Sequence, residues 1–127
     1  MKYLILGALV AAILPAAAQD ALIKILYPPA DGRNAHLVDQ VMEIVLQRPG
    51  IVKVAKADRQ TLVVTVPEKV ARVGSPDEVR FTFTFTLAFM RNGDAIGEAA
   101  EECDSAKMSA CADQVASDLI SANAIRR

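Results

Sequence analysis

VRFTFTFTLAFMR, residues 79–91, then Asn92-Gly93, then DAIGEAAEEC, residues 94–103, is the stretch whose reading decides the fold. Phe81, Phe83, Phe85, Leu87 and Phe89 fall on every second residue, with Thr82, Thr84, Thr86 and Ala88 between them. Successive side chains on a strand point to opposite faces, so the spacing predicts a strand with one Phe face and one Thr face. β-branched and aromatic residues fit such a half-buried, pleated surface. Asn-Gly is the two-residue signature of a type I′ turn, which needs positive φ at both positions. Asp94 to about Glu102 therefore folds back as the partner strand.

Outward from this hairpin, the C-terminal side reads as a helix from about Ala106 to Asn123, with Asp104-Ser105 at its start. Met108, Cys111, Ala112, Val115, Leu119 and Ala122 form its apolar stripe. Arg126 and Arg127 follow, where positive charge suits a helix C-terminus. On the N-terminal side, Pro67–Asp77 reads as a long connection with a ragged edge at Val70 and Val73. Before it, Ile51–Ala57 and Gln60–Val66 read as a pair of strands joined by a tight turn at Asp58-Arg59. Leu62-Val63-Val64 is a continuous apolar run, which predicts a central strand covered on both faces or nearly so. Asn34 reads as the N-cap of a helix to about Gln47, stopped by Pro49-Gly50. Leu37, Val38, Val41, Ile44 and Val45 are its buried stripe; His36, Asp39, Gln40, Glu43 and Gln47 are its polar face. Ala21–Tyr27 is a first short strand, closed by Pro28-Pro29.

The expected order is β-α-β-β-β-β-α. It predicts an α+β two-layer sandwich, mostly antiparallel, with both helices on the Phe face and the Thr row on the open side.

Residues 1–18 read as an export leader. Lys2 gives a positive start, Leu4–Leu14 an apolar core too short to span a bilayer comfortably, and Ala16-Ala17-Ala18 a small-x-small cleavage site. Cleavage after Ala18 leaves one domain, residues 19–127, periplasmic or secreted, with no further membrane span. The leader holds one of the 14 basic residues and none of the 15 acidic ones, so the mature domain carries a net charge of −2. With no basic face, nucleic acid is not an expected partner.

Cys103 and Cys111 are the only cysteines, and in an oxidising compartment they are expected to form a structural disulfide. Their spacing of eight does not make a Cys-x-x-Cys motif. His36 is the only histidine, which excludes a two-histidine metal site. Its local partner for acid–base work would be Asp39; the simpler reading places both on a solvated helix face. Glu98, Glu101, Glu102 and Asp104 read as charges guarding an edge strand, and Arg80 and Arg91 as gatekeepers beside the apolar run. No phosphate loop, dinucleotide fingerprint, nucleophile elbow or zinc-protease helix is present in the sequence.

The run from Val41 through Arg48-Pro49-Gly50-Ile51-Val52-Lys53-Val54 to Thr61-Leu62-Val63-Val64 resembles the helix, Pro-Gly-Ile turn and hairpin of heavy-metal-associated ferredoxin-like domains. That family's Cys-x-x-Cys loop is absent; Pro28–Arg33 stands in its place, so the resemblance carries no metal site. The element order is also similar to that of small envelope transport-accessory domains, which is an analogy of fold.

These readings predict no catalytic residue, no cofactor and no metal. They favour a non-catalytic binding or adaptor domain, with Thr82, Thr84 and Thr86 as a surface for a protein partner or a second copy. The alternative is a secreted inhibitor of an envelope hydrolase, using Pro67–Asp77 as a plug.

Overall fold

The computed structural model describes residues 22–74 and 79–125. The leader, Arg126-Arg127 and part of the long connection lie outside the described residues. The elements run β1 (Ile23–Leu26), α1 (Ala35–Val45), β2 (Ile51–Lys53), β3 (Leu62–Thr65), β4 (Ala71–Val73), β5 (Thr82–Arg91), β6 (Asp94–Asp104) and α2 (Met108–Asn123). This is an α+β fold with one mixed sheet backed by two helices.

β5 is the spine of the sheet. It pairs antiparallel with β6 along its whole length, from Thr82 opposite Asp104 to Arg91 opposite Asp94. Asn92 and Gly93 make the turn, with φ of 53° and 85°. β3 and β4 share the other edge: β3 pairs with Ala88–Arg91 and β4 with Thr82–Thr84. Beyond β3 lie β1 and then β2.

Phe83, Phe85, Leu87 and Phe89 are buried, and the residues between them are half-buried. Each such buried side chain contributes roughly 2 kcal/mol. A one-residue slip would turn all of them outward, so the core face fixes the register. Ile23, Ile25, Leu62 and Val64 extend the same layer. Val38, Val41, Met42 and Val45 from α1, and Ala112, Val115 and Leu119 from α2, close over it.

A β-bulge sits in the hairpin. Phe89 pairs with Gly97 but Met90 with Ala95, so Ile96 is an extra residue and is itself buried. A bulge changes which face the rest of its strand presents. It brings Ala99, Glu101 and Cys103 to the helix side, opposite Leu87, Phe85 and Phe83. Cys103 is there joined by a disulfide to Cys111 in the first turn of α2, with Cα atoms 5.3 Å apart.

Two expectations are corrected. The segments at 51–57 and 60–66 do not form a hairpin, and so depart from the ferredoxin-like pattern they resemble. β2 and β3 each pair in parallel with β1, which lies between them. Gly50, at φ 86°, turns the chain beside β1, and the Ile23 and Val54 amides donate to Gly50 and Ile25 carbonyls at 2.8 and 2.9 Å. The chain then crosses over through an Asp58 turn. Asp58 accepts from the Gln60 and Thr61 amides at 2.8 and 3.0 Å and pairs with Lys24 at 2.5 Å. The Lys24 ammonium and these donors hold the Asp58 carboxyl well below the usual carboxylate range. Also, β3 is central but covered on one face only, because Val63 is half-buried.

Candidate functional site

With both helices on the Phe side, the opposite face of the sheet carries no covering element among the described residues. Thr82, Thr84 and Thr86 lie on it in a line, half-buried by their cross-strand neighbours. Thr84 lies between Ala71 of β4 and Glu102 of β6, and Thr86 lies opposite Ala100.

The middle of this face is hollow for a topological reason. β3 ends at Thr65, Pro67 follows, and β4 begins at Ala71. A proline has no N–H to give a ladder, so the chain leaves the sheet there. Neither β3 nor β4 pairs with Phe85, Thr86 or Leu87. The resulting depression, of about 470 Å³, is lined by Glu68, Lys69, Ala71, Thr84, Thr86, Ala100 and Glu102 among others. A neighbouring hollow of about 430 Å³ lies between Pro28–Asp31 and Thr65–Lys69, so Glu68 and Lys69 form the ridge between the two.

The chemistry of the main hollow is that of a binding surface. Threonine hydroxyls donate and accept, their methyls and the alanines supply apolar area, and Glu68, Lys69 and Glu102 place charges of both signs at the rim. It contains no histidine or cysteine and no nucleophile paired with a base. His36 is exposed on α1, away from this face. Among the described residues, no group of three or more His, Cys, Asp or Glu is placed to hold a metal ion. No helix among the described residues is long and apolar enough to cross a membrane.

Several polar residues differ from their sequence reading. Asp39 is not on a solvated face: it accepts from the Tyr27 hydroxyl at 2.6 Å and the Ala30 amide at 3.1 Å, tying α1 to the end of β1. Burial, then the Asp39 carboxylate, pushes the Tyr27 hydroxyl far above its ordinary range. The Asn34 side chain does not cap α1; it reaches Val70 at 3.4 Å and pins the start of β4. Arg91 caps α2, donating to the Ile125 and Asn123 carbonyls at 2.7 and 3.2 Å and to Asn123 Oδ1 at 2.5 Å. Arg80 grips Asp104 through two nitrogens.

Glu101 is the largest departure. Read as an edge guard, it is 3% exposed and faces α2. Its Oε1 accepts from Gln114 Nε2 at 2.5 Å, while Oε2 is buried with no protein donor. Burial first, and the neighbouring Asp118 carboxylate second, push Glu101 up to about 7; Gln114 offsets part of this. The bulge at Ile96 puts Glu101 on this side, and counting a plain two-residue hairpin back from Asn92-Gly93 misses it. Glu68, Lys69 and Ala100 were also missed as walls of the hollow. Pro67, directly after an apolar strand, is the signal that the chain must leave the sheet there.

No family model matches the chain, and no curated protein matches it. Solved structures similar to it include a minor lipoprotein from Acinetobacter baumannii. That protein is 15% identical, with a TM-score of 0.48; the match covers 77% of this chain and 92% of the other. A candidate lipoprotein from Caulobacter crescentus CB15 is 17% identical, with a TM-score of 0.43, and the match covers 87% and 98% of the two chains.

Proposed function

We propose that this protein is a small exported, non-catalytic binding or adaptor domain that takes a protein partner on its open sheet face. The observation that carries the reading is the hollow between β3 and β4, floored by Thr84 and Thr86 on the side away from the helices. β-branched side chains lose little rotamer freedom when a partner settles on them. The leader read at residues 1–18 supports an exported, periplasmic or secreted location, and intact mass of the exported protein should begin at Gln19. The alternative of a hydrolase inhibitor needs a free plug in Pro67–Asp77. β4 ties part of that segment to β5, which favours the sheet face over the loop.

The test is site-specific photo-crosslinking in the native envelope. A crosslinker at Thr84 should give discrete protein adducts, and one at exposed Gln40 on α1 should not. Thr84→Lys, placed in a chain labelled at Thr86, should abolish the adduct while leaving thermal unfolding nearly unchanged. Equal adducts from both positions, or none from Thr84, would overturn the assignment.

A further inference from the structure

We propose that Glu101 and Asp118 share a single proton, and that this proton clasps α2 against β6 and is released as pH rises. The inference does not depend on the partner proposed above.

The geometry begins with a carboxyl group in the wrong place for a charge. Glu101 sits on the core side of β6, directly opposite Phe85. An ionised carboxylate has only acceptor capacity, and burying one without donors is costly. Gln114 satisfies Oε1, yet Oε2 is enclosed with no donor. Asp118 stands one helical turn beyond Gln114, on the same side of α2, and is half-buried. Two ionised carboxylates placed together repel; one proton between them converts the contact into a hydrogen bond to a charged acceptor. Protonated Glu101 supplies the missing hydrogen by donating from Oε2 to Asp118.

Among the described residues, no cation is paired with either carboxylate. Across the ladder, β5 presents Phe83, Phe85 and Leu87, and the neighbours of Glu101 on its own face are Ala99 and the disulfide-bonded Cys103. Glu98 and Glu102 point to the open face. On α2, Asp113 is taken by Arg48 at 2.5 Å, and Arg91 is engaged with the end of the helix. The core-facing residues of α1 are apolar.

The sign follows from the raised affinity for the proton. Glu101 has an ordinary value of 4.5 and is pushed up to about 7 in the fold. Between these values the folded chain holds a proton that the unfolded chain has lost, so stability falls as pH rises through that window. Ala100 and Glu102, the strand neighbours of Glu101, line the open-face hollow, so the clasp sits directly behind one wall of the candidate site.

The test uses the full oxidised chain. Carboxyl-carbon NMR of the wild type should show Glu101 titrating near 7, and Asp118→Asn should move that midpoint down. The protection of α2 amides, measured relative to the base-catalysed rate of an unstructured chain at each pH, should fall between pH 5 and pH 8 in the wild type and stay level in Glu101→Gln, which cannot ionise. A Glu101 midpoint near its ordinary 4.5 would overturn the proposal, as would a midpoint indifferent to Asp118→Asn. Should Glu101→Gln fail to fold, the wild-type and Asp118→Asn titrations decide alone.

Discussion

Cys103 lies directly across the ladder from Phe83, on the face that meets α2, because a single bulge at Ile96 has shifted the register of β6. Had the same residues paired without a bulge, the turn would set Phe83 opposite Glu102 and Thr82 opposite Cys103. Cys103 would then face away from Cys111. The disulfide, the buried Glu101 and the acidic rim at Glu102 are all consequences of that bulge.

Deleting Ile96 is therefore expected to remove the bulge and leave the pairing beyond it in place, because Gly97 then follows Ala95 directly and still meets Phe89. Cys103 stays opposite Phe83, so thiol titration of the unreduced, denatured variant should find no free thiol. The cost in denaturant unfolding should be that of one lost buried side chain, roughly 2 kcal/mol. Two free thiols in a folded deletion variant would show that the extra residue does not set the register in this way.

Replacing both Cys103 and Cys111 with alanine should cost roughly 2–3 kcal/mol, the chain-entropy value for so short a loop. Denaturant unfolding measures this. The open-face crosslinks should survive, because the bridge lies on the helix side of the sheet. Loss of the crosslinks in a folded, equally stable variant would give the cysteines a functional role.

Tyr27→Phe removes a hydroxyl from a buried pair and leaves Asp39 with only the Ala30 amide. The expected loss is about 1–2 kcal/mol, since one partner keeps a half-satisfied carboxylate. Asp39→Asn should cost less, because the amide oxygen still accepts from Tyr27. The ordering of the two variants in urea midpoints checks the pair; the reverse ordering would count against it.

Arg91→Ala strips the last turn of α2 of its side-chain cap. A loss of about 1–3 kcal/mol is expected for hydrogen bonds from a charged donor. Amide exchange should accelerate first near Ser121–Ala124. Arg91→Lys should recover only part of this, because one ammonium cannot span the Asn123 and Ile125 carbonyls as the planar fork does. Full recovery by lysine would mean that charge alone matters.

The hairpin, both helices and the burial of the Phe row were legible because each rests on local periodicity or local turn chemistry. Asn92-Gly93 needs positive φ whatever surrounds it, and the Phe–Thr alternation admits one burial pattern. The pairing of β2 and β3 with β1 was not legible. Parallel partners are chosen by crossovers, and the Asp58 turn looks in sequence like any hairpin loop. The place of Glu101 was hidden for a different reason. Gly97 marks the bulge only weakly, and the six small or acidic residues from Gly97 to Glu102 give no hydrophobic phase by which to detect a shift of one. The hollow was half legible: the Thr row follows from alternation, but its walls depend on the strands that fail to meet beside Thr86.

Every element that brings Cys103 to Cys111 comes from one unbroken stretch of chain, β5 through α2, and the two sulfurs are only eight positions apart. No residue before Thr82 is needed to set that register. The last third of the chain can thus oxidise as a unit of its own, and β5 then offers its free edge as a finished template on which β3 and β4 dock.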